Sequence, residues 1–363
     1  MKKCLIIANA SIQTDPRPYR MHEWLKESFQ VDSIAFNKAR GHKPWAKILR
    51  KARYFFCLLF RRYEEAIDFK CLKDFKEKSY DLIICHDLTL LPWVIKNKKK
   101  SKVVFDAREY YPKQREHSLL WKLLFQKQNI YLCSVYLKEV DLIITVSEGL
   151  AAEYKKVFHA ESFVIPSFSD FKELSPQFPD KDKIKIIHHG TSSKNRLLEN
   201  MIYIMDNLDT RFELDLMLVN TDKKYFEFLH GLAAKRKNVR VIPPVPLNEI
   251  VSYINKYDIG LFDTKPTTFN LEYCLPNKFF EFIQGRLMIA VGPFPEMAAY
   301  VKKFSLGVVA SDYDPHVMAN IINSLTIEEI HEFKNNAHKA ANVLCSEENK
   351  KVFLSLIAPL THE

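Results

Sequence analysis

The chain has 363 residues, of which 47% are hydrophobic, with only 8 glycines and a formal net charge of +10. That is enough chain for two domains with packed cores, and it excludes a collagen-like, low-complexity or globally disordered protein. The 7 cysteines, an odd number with no C-x-x-C pair, exclude a disulfide scaffold and a cysteine-built zinc site and fit a reduced, cytoplasmic compartment.

The N-terminal MKKCLIIANASIQTD has a short apolar run followed at once by Asn9, Ser11 and Gln13. A signal peptide needs a longer apolar stretch, so the run reads as a first buried strand at 4–9. Further strands are expected at 31–35, 81–85, 102–106, 141–146 and 162–165, with helical patterns at 17–28, 45–66, 89–97, 117–138 and 149–157. The stretch 43–62, KPWAKILRKARYFFCLLFRR, sets Trp45, Ile48, Leu49, Ala52, Phe55, Phe56 and Leu59 at helical spacing, interleaved with Lys47, Arg50, Lys51 and Arg53. No acidic residue occurs between Asp32 and Glu64. Such a helix either lies on an anionic membrane surface or packs its apolar face on the core and leaves its basic face to water. No nucleic-acid motif accompanies the charge, so no nucleic-acid partner is expected. No apolar run is long enough for a transmembrane helix.

Segment 164–183 is rich in Pro, Ser and charge and reads as a linker. A second series follows, with strands at 184–189, 213–219, 239–242, 258–262, 287–291 and 306–309. Helices fill the gaps near 195–207, 222–235, 247–255, 276–284, 295–303 and 314–324, and a polar helical tail runs from 327 to 358. Two such series predict an α/β protein with two Rossmann-like parallel-sheet domains, at 1–168 and 180–335, and a C-terminal helix near 340–360 packing back on the first. Ligands of such sheets bind beyond the C-terminal ends of the strands. Three polar loops stand there: His86-Asp87, Asp106-Ala-Arg-Glu109, and Gly190-Thr191-Ser192-Ser193. No G-x-G-x-x-G, G-x-x-x-x-G-K-[ST] or G-x-S-x-G occurs, which removes dinucleotide, P-loop and hydrolase-elbow readings.

In LPNKFFEF (275–282), Pro276 suits a first helical turn and places Lys278 there. A cation is disfavoured at that end of the macrodipole by roughly 0.3–1 kcal/mol. Either Glu281, on the same helix face, or a bound anion offsets it.

These residues in this order resemble a known family. The second half is similar to the donor-binding domain of GT-B glycosyltransferases of the retaining family 4 type. The first half resembles a branch of it found in bacterial surface-polysaccharide clusters. The motifs are Asp15-Pro16-Arg17, His86-Asp87-Leu88-Thr89-Leu90-Leu91-Pro92 and Asp106-Ala107-Arg108-Glu109-Tyr110-Tyr111-Pro112, then Gly190 with Asn195-Arg196, and Leu275-Pro276-Asn277-Lys278-Phe279-Phe280-Glu281. The resemblance implies two domains facing a cleft and transfer of a sugar from a UDP or GDP sugar to a glycan acceptor. It implies retained configuration and no metal or other cofactor. It places the donor diphosphate at the helix after Pro276, met by Lys278, Arg196 and Asn277, with Gly190, Thr191, Ser192 and Asn195 lining the site and Glu281 on the ribose. His86 stands near the transferred sugar, and Asp15, Arg17, Asp106, Arg108 and Glu109 on the acceptor side. With the basic helix, it implies a lipid-linked acceptor and a place on the inner face of the cytoplasmic membrane, in capsule or lipopolysaccharide O-antigen synthesis.

The sequence departs from the family at two points. Eight residues before Glu281 the family's first glutamate is replaced by Tyr273, with Glu272 one position off, and Arg108 stands where the family has histidine. The missing glutamate motivates a competing reading, a degenerate scaffold or partner protein. A nucleotide-sugar epimerase using Asp106 and Glu109 is the third.

Overall fold

The computed structural model describes residues 1–36, 44–67, 69, 72, 75, 78–180 and 182–361. Cys71 and the side chains of Trp45 and Lys47 lie outside the described set. The chain forms two compact units: Met1–Pro166 with Thr268–Asn270 and Lys350–Glu363, and Ser167–Thr267 with Leu271–Asn349.

The first unit holds six strands, β1 (Lys2–Ala8), β2 (Phe29–Ala35), β3 (Leu82–Cys85), β4 (Lys102–Ala107), β5 (Leu142–Thr145) and β6 (Phe163–Val164), in the order β2-β1-β3-β4-β5-β6. The second holds β7 (Ile184–Thr191), β8 (Phe212–Val219), β9 (Val239–Ile242), β10 (Ile259–Phe262), β11 (Met288–Val291) and β12 (Gly307–Val309), in the order β12-β11-β10-β7-β8-β9. All pairings are parallel. The inner strands fall on apolar runs read from the sequence, because a parallel strand inside the sheet is covered on both faces, while the edge strand β2 (FQVDSIA) carries exposed Gln30 and Ser33.

Side chains alternate along a strand, so neighbouring residues feed opposite cores. Ile186, Leu261, Met288 and Ala290 pack on one face of the second sheet, with Met201 and Leu229 of covering helices. Ile187, Phe262, Ile289 and Val291 pack on the other, with Phe279, Phe280 and Phe282. In the first sheet Cys4, Ile6, Ile84, Val104 and Ile144 pack with Trp24 and Leu25 of the helix Pro16–Leu25 and with Phe353 and Ile357 of the C-terminal helix.

The structure revises four sequence expectations. The helix at 45–66 ends at Leu59, because the chain turns left-handed at Arg61 (φ 57°) and Arg62 N–H bonds back to the Cys57 carbonyl. The helix at 117–138 is a composite of Leu119–Trp121, a π-helical turn Lys122–Gln126, and Lys127–Tyr136. Segment 164–183 spans the boundary between the units, as a linker does, but beyond that boundary it is tied down. Arg286, fully buried, donates to the carbonyls of Lys172 and Leu174, and Gln284 accepts from Lys172 N–H, which fixes the strip along the second unit. The C-terminal tail is two helices, Ile327–Ala341 and Ser346–Thr361, broken where Leu344 and Cys345 turn inward. Among the described residues no helix is long and apolar enough to cross a membrane.

Candidate functional site

In each sheet the strand order reverses once, between β1 and β3 and between β7 and β10. Such reversals open a crevice at the C-terminal strand ends, where open α/β sheets bind ligands. The polar loops read from the sequence stand at or beside these two places.

In the first unit, β3 delivers His86 and Asp87, and Asn9 beyond β1 donates its N–H to Asp87 Oδ2 at 2.7 Å. His86 is fully buried, with Nδ1 2.8 Å from Asp106 Oδ2. Arg17, in the first turn of Pro16–Leu25, donates through Nε to both Asp106 oxygens at 3.1 and 2.8 Å and through Nη2 to Oδ1 at 2.8 Å. Its Nη1 donates to the Ile165 carbonyl at 2.7 Å. Burial raises the Asp106 carboxyl, but the Arg17 charge and His86 outweigh it and hold the group well below the carboxylate range. An ionised carboxylate only accepts, so His86 carries its proton on Nδ1. His86 Nε2 then points away, buried and without a hydrogen-bond partner among the described residues. Arg108 pairs with Asp15 and lies 3.8 Å from Asp87. The structure thus joins Asp15, Arg17, His86, Asp106 and Arg108 in one network, while Glu109 follows with its side chain exposed.

In the second unit, the helix Asn277–Gln284 follows Pro276 and buries Phe279, Phe280 and Phe282. Gly260 of β10 lets it approach, since a Cβ there would lie 2.4 Å from the Phe282 ring. This seats Lys278 over the end of β7. Lys278 Nζ is 3.0 Å from His188 Nε2, and His188 Nδ1 is 2.8 Å from the Leu261 carbonyl. A carbonyl only accepts, so His188 is protonated on Nδ1 and takes the Lys278 hydrogen bond on Nε2. A Cβ at Gly190 (φ 138°) would lie 2.7 Å from Lys278 Nζ, so only glycine leaves this cation its place.

Burial, then the nearby Arg196 charge, hold the Lys278 ammonium well below the usual lysine range, with Glu281 opposing. Burial and Lys278 push His188 well below its ordinary value and take His189 down to about 3, so both rings are neutral. Glu281 Oε2 lies 3.4 Å from His189 Nε2. Arg196 ends the turn Lys194–Arg196, and exposed Asn195 accepts from Ser193 Oγ at 2.5 Å. Ser192 is buried and donates its N–H to the Val219 carbonyl, tying the β7 loop to β8, while Thr191 and Asn277 are half-buried. Glu272 is exposed at the end of the short helix Phe269–Glu272, and Tyr273 follows it. The site gathers basic side chains at a strand end and a helix N-terminus, a setting that suits an anion.

Asp215, Asp258, Asp263 and Glu296 are buried acids outside the residues read from the sequence, and among them Asp263, at 0% exposure, is the one with an unpartnered oxygen. Asp263 stands directly after β10, fully buried, with Oδ2 unpartnered among the described residues and Asn200 Nδ2 3.5 Å from Oδ1. The signal was the one used for the other loops, a polar residue just past an apolar strand run (DIGLF, 258–262). Burial, then the Asp312 charge, push this carboxyl up to about 7. Unfolded, it titrates near 3.9. Between these values the folded protein holds the extra proton, so this group's contribution to stability falls as pH rises from about 4 to 7. The difference of about three pH units is on the order of 4 kcal/mol. Urea unfolding of wild type and Asp263→Asn at about pH 5 and pH 8 is expected to show the wild type losing stability relative to the variant. Parallel pH profiles would refute this placing of the proton.

The architecture is that of the GT-B fold, two parallel six-stranded α/β sheets. Three solved structures similar to this chain show it. The UDP-forming α,α-trehalose-phosphate synthase of Burkholderia xenovorans matches with a TM-score of 0.71 at 11% identity, over 100% of each chain. Anabaena Alr3699/HepE, solved with UDP and glucose, matches with a TM-score of 0.67 at 12% identity, over 99% of this chain and 100% of that one. S. aureus TarM, a glycine-to-arginine mutant solved with fondaparinux, α-GlcNAc-glycerol and UDP, matches with a TM-score of 0.64 at 12% identity, over 79% of this chain. The match spans 57% of the TarM chain. No family model matches the sequence, and no curated protein matches it.

Proposed function

We propose that the protein is a retaining glycosyltransferase that moves a sugar from a UDP or GDP sugar to a glycan acceptor carried on a lipid, in surface-polysaccharide synthesis. The observation that carries this is Lys278, a buried cation at a helix N-terminus with a second cation beside it and a neutral histidine as its hydrogen-bond acceptor. A diphosphate completes that charge balance. Breaking the glycosidic bond builds negative charge on the leaving diphosphate, and Lys278, Arg196 and the helix N–H groups stabilise it, the kind of electrostatic term that dominates many enzymes. These cations leave no need for a metal. Asn277 adds hydrogen bonds and Glu281 accepts from the ribose hydroxyls. His86 serves the transferred sugar through its free Nε2. Asp106, already engaged by Arg17 and His86, is a positioning residue, and Asp15, Arg108 and Glu109 serve the acceptor. The leaving phosphate takes the acceptor's proton, so no further base is needed.

Thermal unfolding with UDP, GDP, ADP, CMP and dTDP tests the reading. One diphosphate is expected to add about 2.7 kcal/mol at a hundred times its dissociation constant. Its release from the matching sugar donor should then require acceptor. A folded protein that none of them stabilises would favour the scaffold reading, to which Tyr273 in place of a glutamate already points.

A further inference from the structure

The apolar face of the helix Pro44–Leu59 does not pack inward. Among its described side chains Cys57 and Leu58 are buried, whereas Ile48, Leu49, Phe55, Phe56, Leu59 and the adjoining Phe60 are each 51–69% exposed. At about 100° per residue these six share one face about 140° wide. A second segment lies beside it. Tyr54 stacks on Phe125 of the π-helical turn, ring centroids 5.8 Å apart, and its hydroxyl donates to Gln128. On that segment Leu119, Leu120 and Leu123 are 64–79% exposed. Large apolar side chains gathered on a surface in this way mark an interaction site. Neither 33–63 nor 117–138 contains an acidic residue, and Lys51, Arg53, Lys122 and Lys127 are exposed among the apolar groups.

We infer that these two segments form one surface that docks the protein on an anionic membrane. The phenyl and aliphatic groups enter the interfacial layer and the lysines and arginines meet anionic headgroups. Phenyl and aliphatic groups without hydrogen-bonding capacity suit hydrocarbon rather than nucleic acid, and the absence of acid matches a negative lipid surface. The inference extends the membrane reading of the basic helix to a segment the sequence did not single out. It rests on exposure and charge alone, so it stands or falls separately from nucleotide binding.

The test is co-sedimentation of the full chain with vesicles of equimolar phosphatidylglycerol and phosphatidylcholine, and with pure phosphatidylcholine vesicles, at low and high salt. Wild type is expected to bind the anionic vesicles at least about tenfold more tightly, and to lose that preference in high salt. Phe56→Glu and Leu120→Glu, both at exposed positions, should each weaken binding at least about tenfold with the melting temperature and the nucleotide shifts unchanged. A wild type that stays in the supernatant overturns the inference. So does a Leu120→Glu variant that binds like wild type, because the surface then needs only one segment. A dimer in sedimentation velocity that either substitution dissociates would assign the surface to a second copy of the chain instead.

Discussion

Lys278→Met is expected to abolish the stabilisation that a nucleoside diphosphate gives, while the free protein stays as stable as wild type or gains. The two halves have one cause. In the free protein Lys278 is buried beside Arg196, and both burial and that neighbour disfavour its charge. Methionine has similar length and no charge to desolvate, and replacing buried charge by a packed apolar group is often neutral or stabilising. In the complex the same charge meets phosphate. Truncating one partner of a buried charged pair costs about 2–5 kcal/mol, at least about thirty-fold in affinity. Protonation gives a second readout. Folding lowers the lysine's proton affinity and an anion raises it again, so between the free and bound values binding takes up a proton. Calorimetry over a pH series below the usual lysine range, in buffers of different ionisation enthalpy, should show uptake by wild type at some pH that the variant lacks. Equal affinity of the two proteins for the nucleotide that stabilises wild type would sink the assignment of the phosphate site.

The second large effect is on stability. Asp106→Asn is expected to destabilise the protein by about 3–5 kcal/mol in urea unfolding, because it leaves the Arg17 guanidinium buried without its counter-charge. The ion pair itself need not favour folding over an apolar replacement. Its half-removal is what is costly, so Arg17→Met with Asp106→Leu should recover part of the loss. The pH dependence has a definite sign. The folded carboxyl is held below its unfolded value near 3.9, so its contribution is complete above that value and is lost as pH falls toward the folded one. If Asp106→Asn unfolds at the wild-type midpoint, the network is not the stabilising element described here.

The two-domain α/β class and the positions of the twelve described strands were legible in the residues alone, because those depend on local pattern. An apolar run such as LIIC or LIIT needs cover on both faces wherever it ends up, and the runs repeat at βα spacing. The sequence also marked the strand ends, with His86 just past β3 and Asp106 and Gly190 in the last residues of β4 and β7, and the turn at Pro276, since strand ends and helix starts are local as well. What it left open depends on contacts far apart in the chain. Arg17 and Asp106 are 89 residues apart, and Lys278 and His188 are 90 apart. No spacing rule joins them; sheet order and the close approach allowed by Gly190 and Gly260 do. The helix Pro44–Leu59 shows the same limit. Its periodicity drew an apolar face, but only the packing of Cys57, Leu58 and Tyr54 decided that this face looks outward. Asp263 belongs here too. Its place after a strand was legible, but its proton depends on burial and on Asp312, which tertiary structure alone brings near.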